Sequence, residues 1–107
     1  MKIKDAVEQQ IGYRPFETFY ETLSIAERYG FGLDAIQDIY NRTFDEWKNN
    51  YKYLTELVLL LGLKISEHYG KNNEYANLYD KLFHQTQEYA LEYLQDEELK
   101  FFVETTG

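Results

Sequence analysis

Apolar residues recur every third or fourth position along almost the whole chain and nowhere alternate with polar ones over a strand's length, so the chain can fold only as packed α-helices. The breaks between runs are equally plain. Residues 2 to 11 place Ile3, Val7 and Ile11 on one face before Gly12 ends the run. Pro15, the single proline, suits the first turn of a second helix in which Phe16, Phe19, Tyr20, Leu23 and Ala26 face inward and Gly30 supplies the stop. A third helix runs from about Asp34 to Lys48, with Ile36, Ile39, Tyr40, Thr43 and Trp47 inward, and is interrupted near Asn49 and Asn50. A fourth spans Tyr51 to Tyr69 and ends at Gly70. A fifth, from Asn73 to Leu94, carries Tyr75, Leu78, Tyr79, Leu82, Phe83, Thr86, Ala90 and Tyr93 as one stripe. A short sixth restarts with Asp96 as its N-cap and with Glu97 and Glu98 in its first turn, where the helix dipole favours anions. The expected fold is a compact all-α bundle of five to six helices, one domain over residues 1 to 107, with a helix-turn-helix-like corner in its N-terminal half.

The fourth helix is apolar on two sides. Leu54, Leu57, Val58, Leu61, Ile65, His68 and Tyr69 form one stripe, and Leu59, Leu60 and Leu63 lie roughly opposite. Such a helix is either central in the bundle or half covered by a partner. The second case predicts a homodimer through Leu59, Leu60 and Leu63.

Charge and composition exclude several function classes. With 107 residues the chain can bury roughly 65% of its unfolded surface around one core. It has no cysteine, which removes disulfides, thiol nucleophiles and thiolate metal sites and fits a reducing, cytoplasmic setting. The longest apolar run, "LVLLLGL", is too short to span a membrane, and the charged start "MKIKDAVEQQ" has no signal-peptide character. Net charge is −8, and the acidic excess is spread over both halves with no basic stripe. A duplex binder gains most of its affinity from cations on phosphates, so direct nucleic-acid binding is disfavoured, whereas a partner with a basic surface is suited.

The stretch "SIAERYGFGLDAIQDIY" meets the packing requirements of a helix-turn-helix: Ala26 and Gly30 for approach and turn, Ile36 and Ile39 to lock the second helix on the first. Its outward set does not meet the requirements of DNA reading. Asp34, Gln37, Asp38, Asn41 and Arg42 would turn two anions toward phosphates or base edges. The ordinary interpretation is a helical corner in a bundle; a degenerate helix-turn-helix used for protein contact is the alternative.

Catalytic and metal chemistry find little to rest on. Asp80, His84 and Glu88 form an i, i+4, i+8 ladder on the polar side of the fifth helix, where a solvated face with local pairs is expected rather than an ion site. His68 lies on an apolar stripe one turn before Gly70, as a core or helix-capping histidine would. No nucleophile turn, P-loop or dinucleotide fingerprint is present. The sequence therefore points to a protein that is not an enzyme and needs no cofactor.

Aromatic residues are abundant: eleven Tyr, seven Phe and one Trp. Tyrosine suits both the rim of a small core and a protein interface. Tyr89 and Tyr93, beside Glu88, Glu92, Asp96, Glu97 and Glu98, would make an acidic surface with aromatic anchors, able to imitate a nucleic-acid ligand for a basic groove. Over about residues 44 to 107, the stretches "DEWKNNYKYLTELVLLLGLKISEHYG" and "NEYANLYDKLFHQTQEYALEYLQDEELKFFVETTG" resemble small uncharacterised helical proteins encoded by phages and prophages of Gram-positive bacteria. The resemblance implies a bacterial host cytoplasm and a host-takeover role, such as inhibition of a nuclease or defence complex in the manner of anti-CRISPR proteins. Two functions follow: a non-catalytic inhibitor that occupies a basic host surface, and, as the alternative, a phage transcriptional regulator that dimerises and uses the Ala26 to Ile39 corner on DNA.

Overall fold

The computed structural model describes residues 15 to 107, in which every regular element is an α-helix: α1 (Pro15–Arg28), α2 (Leu33–Trp47), α3 (Tyr51–His68), α4 (Asn73–Tyr93) and α5 (Asp96–Thr106). The helix expected over residues 2 to 11, and the inward placement of Phe16, lie outside what is described.

Each helix boundary has a local cause. α1 closes in a Schellman turn, in which Phe31 N–H donates to the Ala26 carbonyl (3.0 Å) and Gly30 N–H to the Glu27 carbonyl (3.2 Å). Gly30 takes φ +68°, and a Cβ built there would touch nothing within 4 Å. The glycine thus serves the left-handed backbone of the turn, the role the sequence assigns it. Asn50 caps α3, its side-chain oxygen accepting from Lys52 N–H and Tyr53 N–H, and Asn72 caps α4 by accepting from Tyr75 N–H. At the start of α5 the expected cap moves by one residue. Gln95 occupies the N-cap position without a side-chain hydrogen bond, and Asp96 takes a left-handed φ of 54°, a conformation that a short polar side chain tolerates.

The two-sided α3 is central: α1, α2, α4 and α5 all pack against it, α4 most extensively. One core cluster joins Phe19, Leu23 and Ala26 of α1, Ile36, Tyr40 and Trp47 of α2, Leu57, Leu60 and Leu61 of α3 and Tyr79 and Leu82 of α4. A second seats Phe102 of α5 and Leu94 against Leu54, Val58 and Ala90. Leu60 belongs to the core and is only 9% exposed, which corrects its assignment to an outward oligomer face. It stands one turn after Leu57 and beside Leu61, on the flank of the core stripe, whereas Leu59 and Leu63, four residues apart, point outward.

Candidate functional site

The structure gathers part of the expected acidic–aromatic surface into a groove between α2 and α4. Glu88, Tyr89, Glu92 and Tyr93 occupy the last turns of α4, and Tyr40, Asn41 and Phe44 of α2, with Gln85, complete the lining. Its aromatic rings form a series: Tyr40 stacks on Phe44 (5.7 Å between centroids), Phe44 meets Tyr89 edge to face (5.0 Å), and Tyr89 lies 4.5 Å from Tyr93. Below them the Tyr40 hydroxyl and the buried Thr86 hydroxyl share a hydrogen bond of 2.7 Å that ties α2 to α4. Glu88 and Glu92 are exposed and form no ion pair among the described residues, and no lysine, arginine or histidine lines the groove. Tyr93, expected on the inward stripe as well as on this surface, is 61% exposed and belongs to the surface alone. Asp96, Glu97 and Glu98 are exposed on the first turn of α5 and do not line the groove, so the expected seven-residue face is divided between two helices.

At the α1–α2 corner, Ala26 and Ile36 are buried and Ile39 packs against the core, as a plain helical corner and a helix-turn-helix both require. The outer face is acidic and self-satisfied: Asp34 is exposed, Gln37 donates to Asn41 (2.9 Å), and Arg42 is paired with Asp38 at 3.0 Å. The turn also exposes Ile25, Tyr29, Phe31 and Leu33, with Tyr29 and Phe31 stacked at 6.2 Å. On α3, Leu59 and Leu63 join Tyr20 and the edge of Leu60 in a second groove bordered by Glu17, Glu21 and Glu56.

The most unusual chemistry is internal, and the apolar-stripe reading of α3 passed over it. Lys64 is 1% exposed and reaches across to α1: its ammonium donates to Glu27 Oε1 (2.9 Å), Glu67 Oε2 (3.0 Å) and Ser24 Oγ (3.3 Å) and lies 4.7 Å from the centre of the Tyr20 ring. The Tyr20 hydroxyl donates to Glu67 and the Tyr79 hydroxyl to Glu27, so each carboxylate oxygen of the pair has a donor. These contacts move the titration of the partners. The hydrogen bond to Glu67, burial and the two carboxylate charges raise Tyr20, while burial and then the Glu27 hydrogen bond raise Tyr79 much further. Burial pushes Glu67 up, but the Tyr20 hydroxyl and the Lys64 ammonium outweigh it and hold the carboxyl below its ordinary range. His68 does not act as a helix cap: it stacks on Tyr79, with Nε2 buried 2.9 Å from Glu27 Oε2 but out of line for a hydrogen bond.

Glu27, Glu67 and His68 are, among the described residues, the one group of three whose ligand atoms lie close enough together to hold a metal ion. The Lys64 ammonium already occupies the cation position between the two carboxylates, which makes the cluster a structural ion network. Asp80 and His84 are exposed, 3.4 Å apart, as a solvated i,i+4 pair. Lys64 was nonetheless legible in principle, since position 64 falls on the same helical face as Leu57, Leu60 and Leu61, and a lysine there needs an anion that Glu67 offers one turn later.

No protein-family model, curated protein or solved structure matches the chain.

Proposed function

We propose that the protein acts without catalysis, by binding a basic surface on a partner protein through the α2–α4 groove. The observation that carries this reading is the coincidence, along two turns of one helix, of carboxylates on Glu88 and Glu92 that are unpaired among the described residues with the adjacent Tyr89–Tyr93 rings. Aromatic anchors give an interface its lifetime, and rim charges set its association rate and specificity. A surface with that pairing is a mimic of nucleic acid in charge and in stacking capacity. A nucleic-acid-binding host nuclease or defence complex is the partner class that fits both the groove and the phage-type resemblance, with the bacterial cytoplasm as its setting. The regulator alternative rests on the corner, where the packing of Ala26 and Ile36 favours it and the exposed Asp34 and the Asp38–Arg42 pair oppose it.

The test is capture of partners from a bacterial host lysate by the original protein and by Glu88→Lys with Glu92→Lys. The reading requires a captured nucleic-acid-binding protein that is released by competing nucleic acid and associates more slowly with the charge-reversed protein at low salt. A partner bound equally fast by both proteins at every salt concentration refutes it. A shift of duplex DNA by the protein alone would favour the regulator.

A further inference from the structure

The chemistry of the groove narrows what can occupy it. Resting on the reading that this groove is the binding surface, we infer that it takes arginine side chains of the partner in preference to lysine. Three features select the guanidinium. The first is an accessible aromatic face: Tyr93 is 61% exposed and packs 4.5 Å from Tyr89, which meets Phe44 edge to face, so the pair presents a stacking surface. A planar, weakly hydrated guanidinium stacks on such a face with a small desolvation cost, whereas an ammonium keeps its hydration shell.

The second is the placement of the anions. Glu88 and Glu92 stand four residues apart on α4, a like-charged pair on one helix face with no cation among the described residues to relieve it. A guanidinium offers five donors in a fixed fork and can engage both carboxylates while its plane rests on the ring; a lysine meets them as a point charge. The third is charge complementarity. The lining holds two carboxylates, the amides of Asn41 and Gln85, and no basic side chain, so an incoming cation meets no repulsion.

The experiment titrates the full-length, isotope-labelled protein at low salt with three capped pentapeptides that differ only in carrying two arginines, two lysines or two citrullines, followed by amide and side-chain NMR shifts. The arginine peptide should move the resonances of Asn41, Gln85, Tyr89 and Tyr93 and bind at least about threefold tighter than the lysine peptide, with citrulline weakest. Tyr93→Leu, at an exposed position, should keep the fold and reduce the arginine affinity to that for lysine. Replacing Glu88 and Glu92 by glutamine should weaken both cationic peptides. Equal arginine and lysine affinities at these same residues overturn the arginine preference and leave the acidic-groove reading standing. No shifts at the groove, or shifts confined to another face, overturn both.

Discussion

Replacing Lys64 by methionine isolates what the buried ammonium contributes, because methionine keeps most of the stem's length and apolar packing while removing the charge. The structure sets the magnitude. Two carboxylates lose their common cation, but they do not suffer equally: Glu67, 33% exposed, can recover water, while Glu27, 11% exposed, cannot. One stranded buried charge puts the loss near the lower end of the range for a broken buried ion pair, about 3 kcal/mol. The lost cation–π contact with Tyr20 adds roughly 0.5 kcal/mol. A domain of this size has only about 5–15 kcal/mol in total, so urea unfolding followed by circular dichroism should show a midpoint lowered by about 1–3 M. Combining Lys64→Met with Glu27→Gln removes the stranded charge and keeps an oxygen for the Tyr79 hydroxyl. The double variant should therefore be more stable than the sum of the two single losses predicts, by about 2 kcal/mol. A Lys64→Met protein that loses less than about 1 kcal/mol, or strict additivity in the double variant, would refute the idea that the ammonium is what makes the buried carboxylates tolerable.

Burial raises Tyr79 and Tyr40, and the Glu67 hydrogen bond raises Tyr20, so the stability these phenols confer is complete below their ordinary value of 10.0 and is lost as pH climbs through their raised folded values. Absorbance at 295 nm and far-ultraviolet circular dichroism should show these phenols ionising only as helix is lost; ionisation of Tyr79 and Tyr40 with the fold preserved would contradict this. At the other end, the depressed Glu67 contributes stability that is present above the ordinary carboxyl value of 4.5 and disappears as pH falls through its folded value, so Glu67→Gln should flatten the acid limb of a stability–pH curve. Leu60→Glu should cost about 3 kcal/mol or more by burying a charge, while Leu63→Glu, at a position 53% exposed, should leave the melting temperature almost unchanged and, in light scattering, separate any homodimer formed through Leu59 and Leu63. Tyr40→Phe leaves the Thr86 hydroxyl its bond to the Leu82 carbonyl and should cost about 1 kcal/mol in urea unfolding.

What could be read from the sequence and what could not divides along the range of the interactions. Helix ends are local, so Gly30, Asn50, Asn72 and Gly70 mark them to within a residue or two, and the miss at Asp96 is a shift by one position. The two apolar sides of α3 left open whether it is central or half covered by a partner; the structure packs four helices against it while Leu59 and Leu63 stay exposed. Glu88, Tyr89, Glu92 and Tyr93 could be seen as a surface since one helix carries all four; the contributions of Phe44 and Asn41 depend on how α2 lies against α4, which no local pattern encodes. The ion network was missed for the same reason. Glu67 is Lys64's neighbour by one turn, but Glu27 is separated from it by 37 residues, and only the crossing of α1 over α3 brings them together. Leu60 shows the limit of angular counting: a residue on the flank of a stripe is buried or exposed according to how closely the next helix approaches.

The two carboxylate groups, one inside and one at the surface, are treated in opposite ways, and the difference bears on function. Glu27 and Glu67 are each given an ammonium and a phenolic donor from this chain, so their charge is spent internally and holds α1 and α3 together, with α4 joined through Tyr79. Among the described residues Glu88 and Glu92 receive no such partner, although an i+4 lysine on the same helix would have been the simplest provision. Of their aromatic neighbours, Tyr89 packs edge to face with Phe44, and the Tyr40–Thr86 hydrogen bond ties α2 to α4 beneath. On the proposed reading, ordering in advance would lower the entropy lost on association, and unpaired anions would be available to an incoming cation. The proposed reading rests on this combination, an aromatic series beside carboxylates with no basic side chain in the lining among the described residues, which a surface serving only solubility would not need.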